Sequence, residues 1–150
     1  MKVYFATDHA GFHLKNVLKD YVSNLGYEVI DCGAYELNND DDYPEFIKKA
    51  SVKVSVDPEN SKAIILGGSG QGEDMVADKF PNVRSALYYG GPLEIVKLSR
   101  EHNDANILSL GARFVDENQA KEAVKLWLQT PFSNDERHKR RIEQIDLNSN

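Results

Sequence analysis

Short apolar runs alternate with segments of helical periodicity five times along this chain of 150 residues, and that alternation constrains its fold more than any other feature. Val3 to Thr7 reads as a buried strand, short and rich in β-formers, ending at the polar Asp8-His9-Ala10-Gly11 turn. Leu14, Val17, Leu18, Tyr21, Val22 and Leu25 then recur at spacings of three and four, one apolar stripe of a helix that Gly26 stops. Tyr27 to Cys32 is a second strand. After the Asn/Asp-rich loop Asn38 to Asp42, Pro44 suits the first turn of a helix that turns Phe46, Ile47, Ala50 and Val54 inward and ends at Asp57-Pro58. The pattern continues with strands at Lys62 to Leu66, Arg84 to Tyr89 and Asn106 to Leu110. Each is followed by a helix: Glu73 to Phe80, Leu93 to Glu101 and Glu117 to Leu128.

Parallel strands need crossover connections, so strict alternation implies a parallel sheet covered on both faces. The expected fold is α/β, a three-layer Rossmann-like sandwich with a five-stranded parallel sheet and an extra C-terminal helix entered at Ser133 or Asn134. No linker or repeat divides the chain, so residues 1–150 are expected to form one domain, with the tail over 131–150 reaching a partner subunit. Ligands of such sheets bind beyond the carboxyl ends of the strands. Asp8-His9, the Gly67 to Glu73 loop and Arg113 should therefore converge.

The composition narrows the function classes. A net charge of −6 opposes nonspecific nucleic-acid binding, which depends on cationic side chains neutralising phosphates. No apolar run reaches the ~18 residues of a membrane span, and Met1 to Thr7 runs straight into Asp8-His9 without the apolar stretch of a signal peptide. A cytoplasmic protein is expected. Cys32, the only cysteine, leaves no intrachain disulfide or cysteine cluster and reads as packing. Against the acidic background, Arg137-His138-Lys139-Arg140-Arg141 is a local reversal of charge.

Gly67-Gly68-Ser69-Gly70-Gln71-Gly72 joins a strand to a helix, where backbone N–H groups and the helix dipole favour anions. A Walker A loop needs Lys and Ser/Thr after its last glycine, and Glu73-Asp74 stand there instead. A dinucleotide fingerprint fails as well, because counting from Gly68 and Gly70 lands on Glu73. Glu73 taken alone reads as an acid in a helix's first turn, stabilising the dipole. Beside a cluster of N–H donors, however, a carboxylate has the parts for proton abstraction next to a carbonyl: a base, and a hole for the developing enediolate oxygen. Arg137 and Arg141 share a helix face, with His138 one turn from Arg141, which suits a phosphate as well as a solvated face. His102 reads either as a surface histidine at a helix C-terminus or as an acid–base group. Asp8-His9 reads either as a helix cap or as part of a site.

These residues carry a family resemblance. Asp8-His9-Ala10-Gly11 with Lys15 downstream, Asp42-Tyr43-Pro44, Gly68 to Glu73, Ser99 to Asn106, Gly111-Ala112-Arg113 and Arg137 to Arg141 stand in the order and spacing of the ribose-5-phosphate isomerase B family, which also includes the galactose-6-phosphate isomerase subunits. The chain resembles that family over nearly its whole length. The resemblance implies a metal-free, cofactor-free isomerisation of a phosphorylated sugar through a cis-enediolate, ribose 5-phosphate to ribulose 5-phosphate first among the candidates. Many members carry a cysteine base where this chain has Gly67, so the chain looks like the subgroup in which a glutamate at the loop's end, here Glu73, is the base. By the same carry-over, His102 donates a proton in ring opening, with Asp8 nearby. Ser69 and the amides of Gly70, Gln71 and Gly72 hold the enediolate, Gly68 binds substrate, and Tyr43 and Asn103 contact hydroxyls. His9, Arg113, Arg137, His138 and Arg141 surround the phosphate. The resemblance also implies a homodimer or tetramer with sites shared between chains. Two features depart from the family pattern: Asp78, where asparagine is common, and the Tyr88-Tyr89-Gly90-Gly91 strand end. Other aldose phosphates, and a noncatalytic sugar-phosphate-binding subunit, stay open on the sequence.

Overall fold

The structure, a computed structural model, describes residues 1–146, so the last residues of the expected tail lie outside the described residues. The elements are β1 (Lys2–Thr7), α1 (Phe12–Asn24), β2 (Glu28–Asp31), α2 (Tyr43–Val56), β3 (Ser61–Gly67), α3 (Gln71–Ala77), β4 (Ser85–Tyr88), α4 (Leu93–Glu101), β5 (Ile107–Gly111), α5 (Glu117–Gln129) and α6 (Glu136–Asp146), with a single 3-10 turn at His9–Gly11. All strand pairs are parallel, in the order β2-β1-β3-β5-β4. The three-layer Rossmann-like sandwich read from the sequence is the observed architecture.

The central strands bury both faces. In β3, Ala63, Ile64, Ile65 and Leu66 are all inaccessible to solvent, so their alternate side chains feed two separate cores. One core packs Phe5, Ile64, Leu66, Leu108 and Leu110 against α1, α4 and α5, with Trp127 as its largest side chain. The other packs Tyr4, Ala6, Ile65 and Ile107 against Ile47, Ala50 and Val54 of α2 and Ala77 of α3.

Parallel topology gives the sheet two chemically different edges. Every β→α connection lies at the carboxyl edge and every α→β connection at the amino edge. The two are separated by the length of a strand, about 15 Å for the five residues of β5.

The expected boundaries moved by a few residues. β3 runs on through Gly67, α3 starts at Gln71 and not at Glu73, and α6 starts at Glu136 because Asn134 takes a left-handed φ of 62°, which a helix cannot continue through.

Candidate functional site

The polar segments after β1, β3 and β5 do meet at the carboxyl edge. Thr7 Oγ donates to the Leu66 carbonyl (2.9 Å), Ala112 and Arg113 N–H donate to the Gly67 and Gly68 carbonyls (2.8 and 3.1 Å), and Ser109 Oγ donates to the Gly70 carbonyl (2.7 Å). The glycine loop is thus held from both sides. Gly70 sits at φ 79° as the residue preceding α3, its Cα facing the Leu110 backbone so closely that a Cβ would lie 2.9 Å from the carbonyl carbon. Only glycine meets both demands.

Glu73 lies in the first turn of α3, as a capping residue does, yet it is only 4% exposed. Its carboxyl group fills the space that a side chain at position 67 would need: a Cβ built on Gly67 overlaps both carboxylate oxygens. A side chain at 67 and this placement of Glu73 exclude one another. Burial raises the Glu73 pKa above its ordinary 4.5, with a smaller push from the Asp8 charge, against a lowering hydrogen bond from its own backbone N–H. A carboxyl group placed like this holds its proton to higher pH and is a stronger base once ionised.

Around it, Asp8 is buried and caps the 3-10 turn, accepting the Ala10 N–H at 2.9 Å. The capping reading of Asp8 is therefore correct as far as it goes. The Tyr43 hydroxyl stands over Gly72, where a Cβ would come within 2.5 Å of it. Ser69 Oγ accepts the Gln71 N–H and side-chain amide, each at 3.3 Å, which leaves its own proton to donate. The Arg113 guanidinium lies over Gly68, exposed and without an ion pair among the described residues. His9 is gripped by Asp41, a residue that sequence reasoning left inside an Asn/Asp-rich loop. Asp8, His9 and Asp41 bring potential metal-ligand atoms within 4.8 Å of one another, but His9 Nδ1 is already hydrogen-bonded to Asp41.

His102, Asn103, Arg137, His138 and Arg141 do not join this group within one chain. His102 closes α4, which runs back from the carboxyl edge, so it lies at the amino edge with the starts of β4 and β5. There Arg84 donates to the Asn103 and Asp104 carbonyls (3.1 and 3.2 Å) and pairs with Asp104 and Asp146, joining the α4–β5 connection to α6. The His138 ring is 4% exposed and stacks on His102 with ring centroids 4.3 Å apart and planes 17° apart. Burial, His102 and Arg137 hold its pKa below the ordinary 6.5. Arg137 and Arg141 are exposed and have no ion pair among the described residues. Arg100 is a structural member of its motif: nearly buried, it donates to the Thr130 and Ala105 carbonyls and to Asp104, shaping the loop that carries His102 and Asn103.

The two departures from the family pattern also have places. Asp78 follows α3 at the amino edge, where its carboxylate accepts the Ser85 N–H at 2.9 Å. Asparagine keeps that acceptor. Asp78 lines a cavity of about 640 Å³ together with Asn103 and Ile145, away from Glu73 of its own chain. Tyr88 donates to the Gly91 carbonyl at 3.0 Å, while Tyr89 meets Phe114 edge to face at the carboxyl edge, both rings exposed.

Comparison with known proteins agrees over nearly the whole chain. Residues 3–145 match the family described as Ribose/Galactose Isomerase. The chain is 41% identical to the ribose-5-phosphate isomerase B of Mycolicibacterium paratuberculosis over 95% of its own length and 88% of that protein's. Among solved structures, it is similar to ribose-5-phosphate isomerase B from Mycoplasma genitalium with bound ribulose-5-phosphate. The TM-score is 0.94 at 31% identity, covering 98% of this chain and 95% of the other. The enzyme of the same name from Clostridium thermocellum superposes with a TM-score of 0.90 at 37% identity, covering 98% and 96%.

Proposed function

The chain belongs to the ribose/galactose isomerase family, and from that premise we propose that it interconverts ribose 5-phosphate and ribulose 5-phosphate with Glu73 as the base. It is an aldose–ketose isomerase. Glu73 removes the C2 proton of the open-chain aldose and returns it to C1, the negative charge passing meanwhile to an enediolate oxygen. That oxygen is held by Ser69 and the amides of Gly68, Gly70, Gln71 and Gly72 at the start of α3, where the helix dipole adds to the hydrogen bonds. Tyr43 and Asn103 contact hydroxyls, and Asp8 assists ring opening with His102. The observation that carries the assignment of the base is the buried Glu73 carboxyl filling the space of the missing side chain at Gly67.

The separation of Glu73 from His102 within one chain supports a homodimer with shared sites. The carboxyl edge of one protomer supplies Asp8, His9, Tyr43, the glycine loop, Glu73 and Arg113. The amino edge of its partner supplies His102, Asn103, Arg137, His138 and Arg141. Such exchange is natural in a two-fold dimer, which makes two identical composite sites at once. Phosphate is then met by His9 and Arg113 from one side and by the α6 cations from the other, a clamp that orients the sugar without taking part in proton transfer. No helix among the described residues is long and apolar enough to cross a membrane, and a cytoplasmic enzyme acting on a soluble metabolite is our reading.

The purified chain, assayed against a panel of aldose phosphates that includes ribose, allose and galactose derivatives, tests the substrate. The highest kcat/KM is expected with ribose 5-phosphate. A higher value with a hexose phosphate overturns that choice, and inactivity on all of them overturns the catalytic reading in favour of a binding subunit.

A further inference from the structure

We infer that Asp41 is a positioning residue for His9, holding its ring so that Nε2 meets the substrate phosphate. The inference rests on the isomerase reading above and extends it to a residue outside the motifs that revealed the family.

The Asp41 carboxylate is 7% exposed and reaches the 3-10 turn from the loop before α2. Its Oδ1 accepts twice from one residue: the His9 backbone N–H at 3.0 Å and the ring Nδ1 at 2.7 Å. Two bonds from one oxygen to the two ends of one residue fix the rotation of the ring about both its side-chain bonds. A carboxylate accepts and does not donate, so Nδ1 must carry the ring's proton. Asp8 Oδ2, 4.0 Å from the same nitrogen, adds to that preference. The opposite corner, Nε2, makes no hydrogen bond among the described residues, on a ring whose side chain is 26% exposed at the carboxyl edge. With Nδ1 committed to Asp41, Nε2 is the ring nitrogen left to hydrogen-bond the substrate phosphate.

Asp41 has a competing, purely structural use. By bonding the His9 backbone it also ties the loop before Tyr43 to the turn after β1. The two uses separate cleanly, because His9→Ala removes the ring bond and leaves the backbone N–H in place. A double-mutant cycle therefore reads the ring's share alone.

The experiment measures KM for ribose 5-phosphate, kcat, and the inhibition constant of inorganic phosphate in the wild type, Asp41→Ala, His9→Ala and the double variant. Asp41→Ala is expected to raise KM and the phosphate inhibition constant by about tenfold, the scale of one charge-assisted hydrogen bond, with kcat changed by less than about twofold. Asp41→Asn, which keeps an acceptor oxygen, should show a smaller rise. In the His9→Ala background, Asp41→Ala should add nothing. An undiminished effect in that background, or an effect confined to kcat, assigns Asp41 to loop anchoring and overturns the inference. If Asp41→Ala does not fold, judged by circular dichroism and Tm, the Asp41→Asn cycle decides in the same way. A wild-type chain inactive on every sugar phosphate fails the isomerase reading separately. Calorimetric binding of inorganic phosphate to the same four proteins still tests the pairing in that case.

Discussion

The two edges of one sheet are built by different means. The carboxyl edge is made of backbone: four glycines in the six positions from Gly67 to Gly72, N–H groups at the start of α3, and a carboxylate pressed against a residue with no side chain. The amino edge is made of side chains, with Arg84, Arg100 and Asp104 tying a loop to two helices and His138 stacked on His102. The first is a rigid frame, its loop fixed by bonds from β1 and β5. The second displays Arg137 and Arg141, exposed and without ion pairs among the described residues, on α6. Proton transfer needs a fixed frame, whereas phosphate capture needs charge and reach, so the difference matches the division of labour proposed above.

The sharpest way to break this comparison is to remove the base. Glu73→Gln should lower kcat by about 10³-fold while sugar-phosphate binding, measured by calorimetry, stays within a fewfold. It should also raise Tm at neutral pH. The Glu73 pKa is raised on folding, so its stability contribution is greatest at low pH and is lost as pH rises through the folded value. A neutral glutamine removes the cost of burying the ionised form. Residual activity near the wild-type level would remove Glu73 from the mechanism.

Mixing tests whether the two edges serve each other across a dimer. The Glu73→Gln and His102→Ala proteins should each be nearly inactive. Dissociating and reassembling an equal mixture should return about a quarter of wild-type activity, since half the dimers then hold one intact composite site. A mixture as inactive as its parents would place both residues in one chain's site, against the separation of the two edges.

A smaller effect is expected from the pair of buried Lys15 and half-buried Asp31. Lys15, fully buried, donates to Asp31 at 2.7 Å and to the Ala34 carbonyl at 2.6 Å, anchoring the loop after β2. Lys15→Ala leaves the Asp31 carboxylate with Lys19 and the Gly33 N–H as partners and should cost about 3 kcal/mol, or roughly 10 °C in Tm. Burial opposes ionisation of Asp31, but hydrogen bonds from Lys15, Lys19 and the Gly33 N–H outweigh it and keep its pKa below 3.8. This depressed carboxylate stabilises the fold above the unfolded-state value and loses that contribution as pH falls through the folded one. The Tm difference between wild type and Lys15→Ala should therefore narrow in acid below about pH 4. A constant difference would show that the lost packing of the lysine stem, and not its charge, sets the effect.

The smallest expected effect is a shift in a pH profile. If Glu73 must be ionised to act, the acidic limb of kcat should fall above the ordinary glutamate value of 4.5, in the direction set by its burial. A limb at or below that value would show that the site opens to water when substrate binds.

Much of this was legible in the chain, and what was not has identifiable causes. Leu93 to Glu101 is legible to the residue, with His102 marking its C-terminal end. The 3-10 turn at His9–Gly11 was not anticipated, since its signal is an Asp8 cap that also suits a loop. Asp41 was indistinguishable from Asp40 and Asp42 in a run of acids. Only the fold brings it to His9, thirty-two residues away. Arg100 read as part of a functional motif and proved to be a brace.

The residues themselves determined the alternation of strands and helices, the glycine loop at the head of α3 and the carboxylate beside it. Each of these is a local matter, settled by periodicity and by neighbours a few positions apart. The tertiary structure decided the strand order β2-β1-β3-β5-β4, the burial of Glu73 in the space left by Gly67, and the assignment of His102 and Glu73 to opposite edges. Those depend on which strands pair and which helices cover them, and that choice is made by burying apolar surface between segments far apart in the chain.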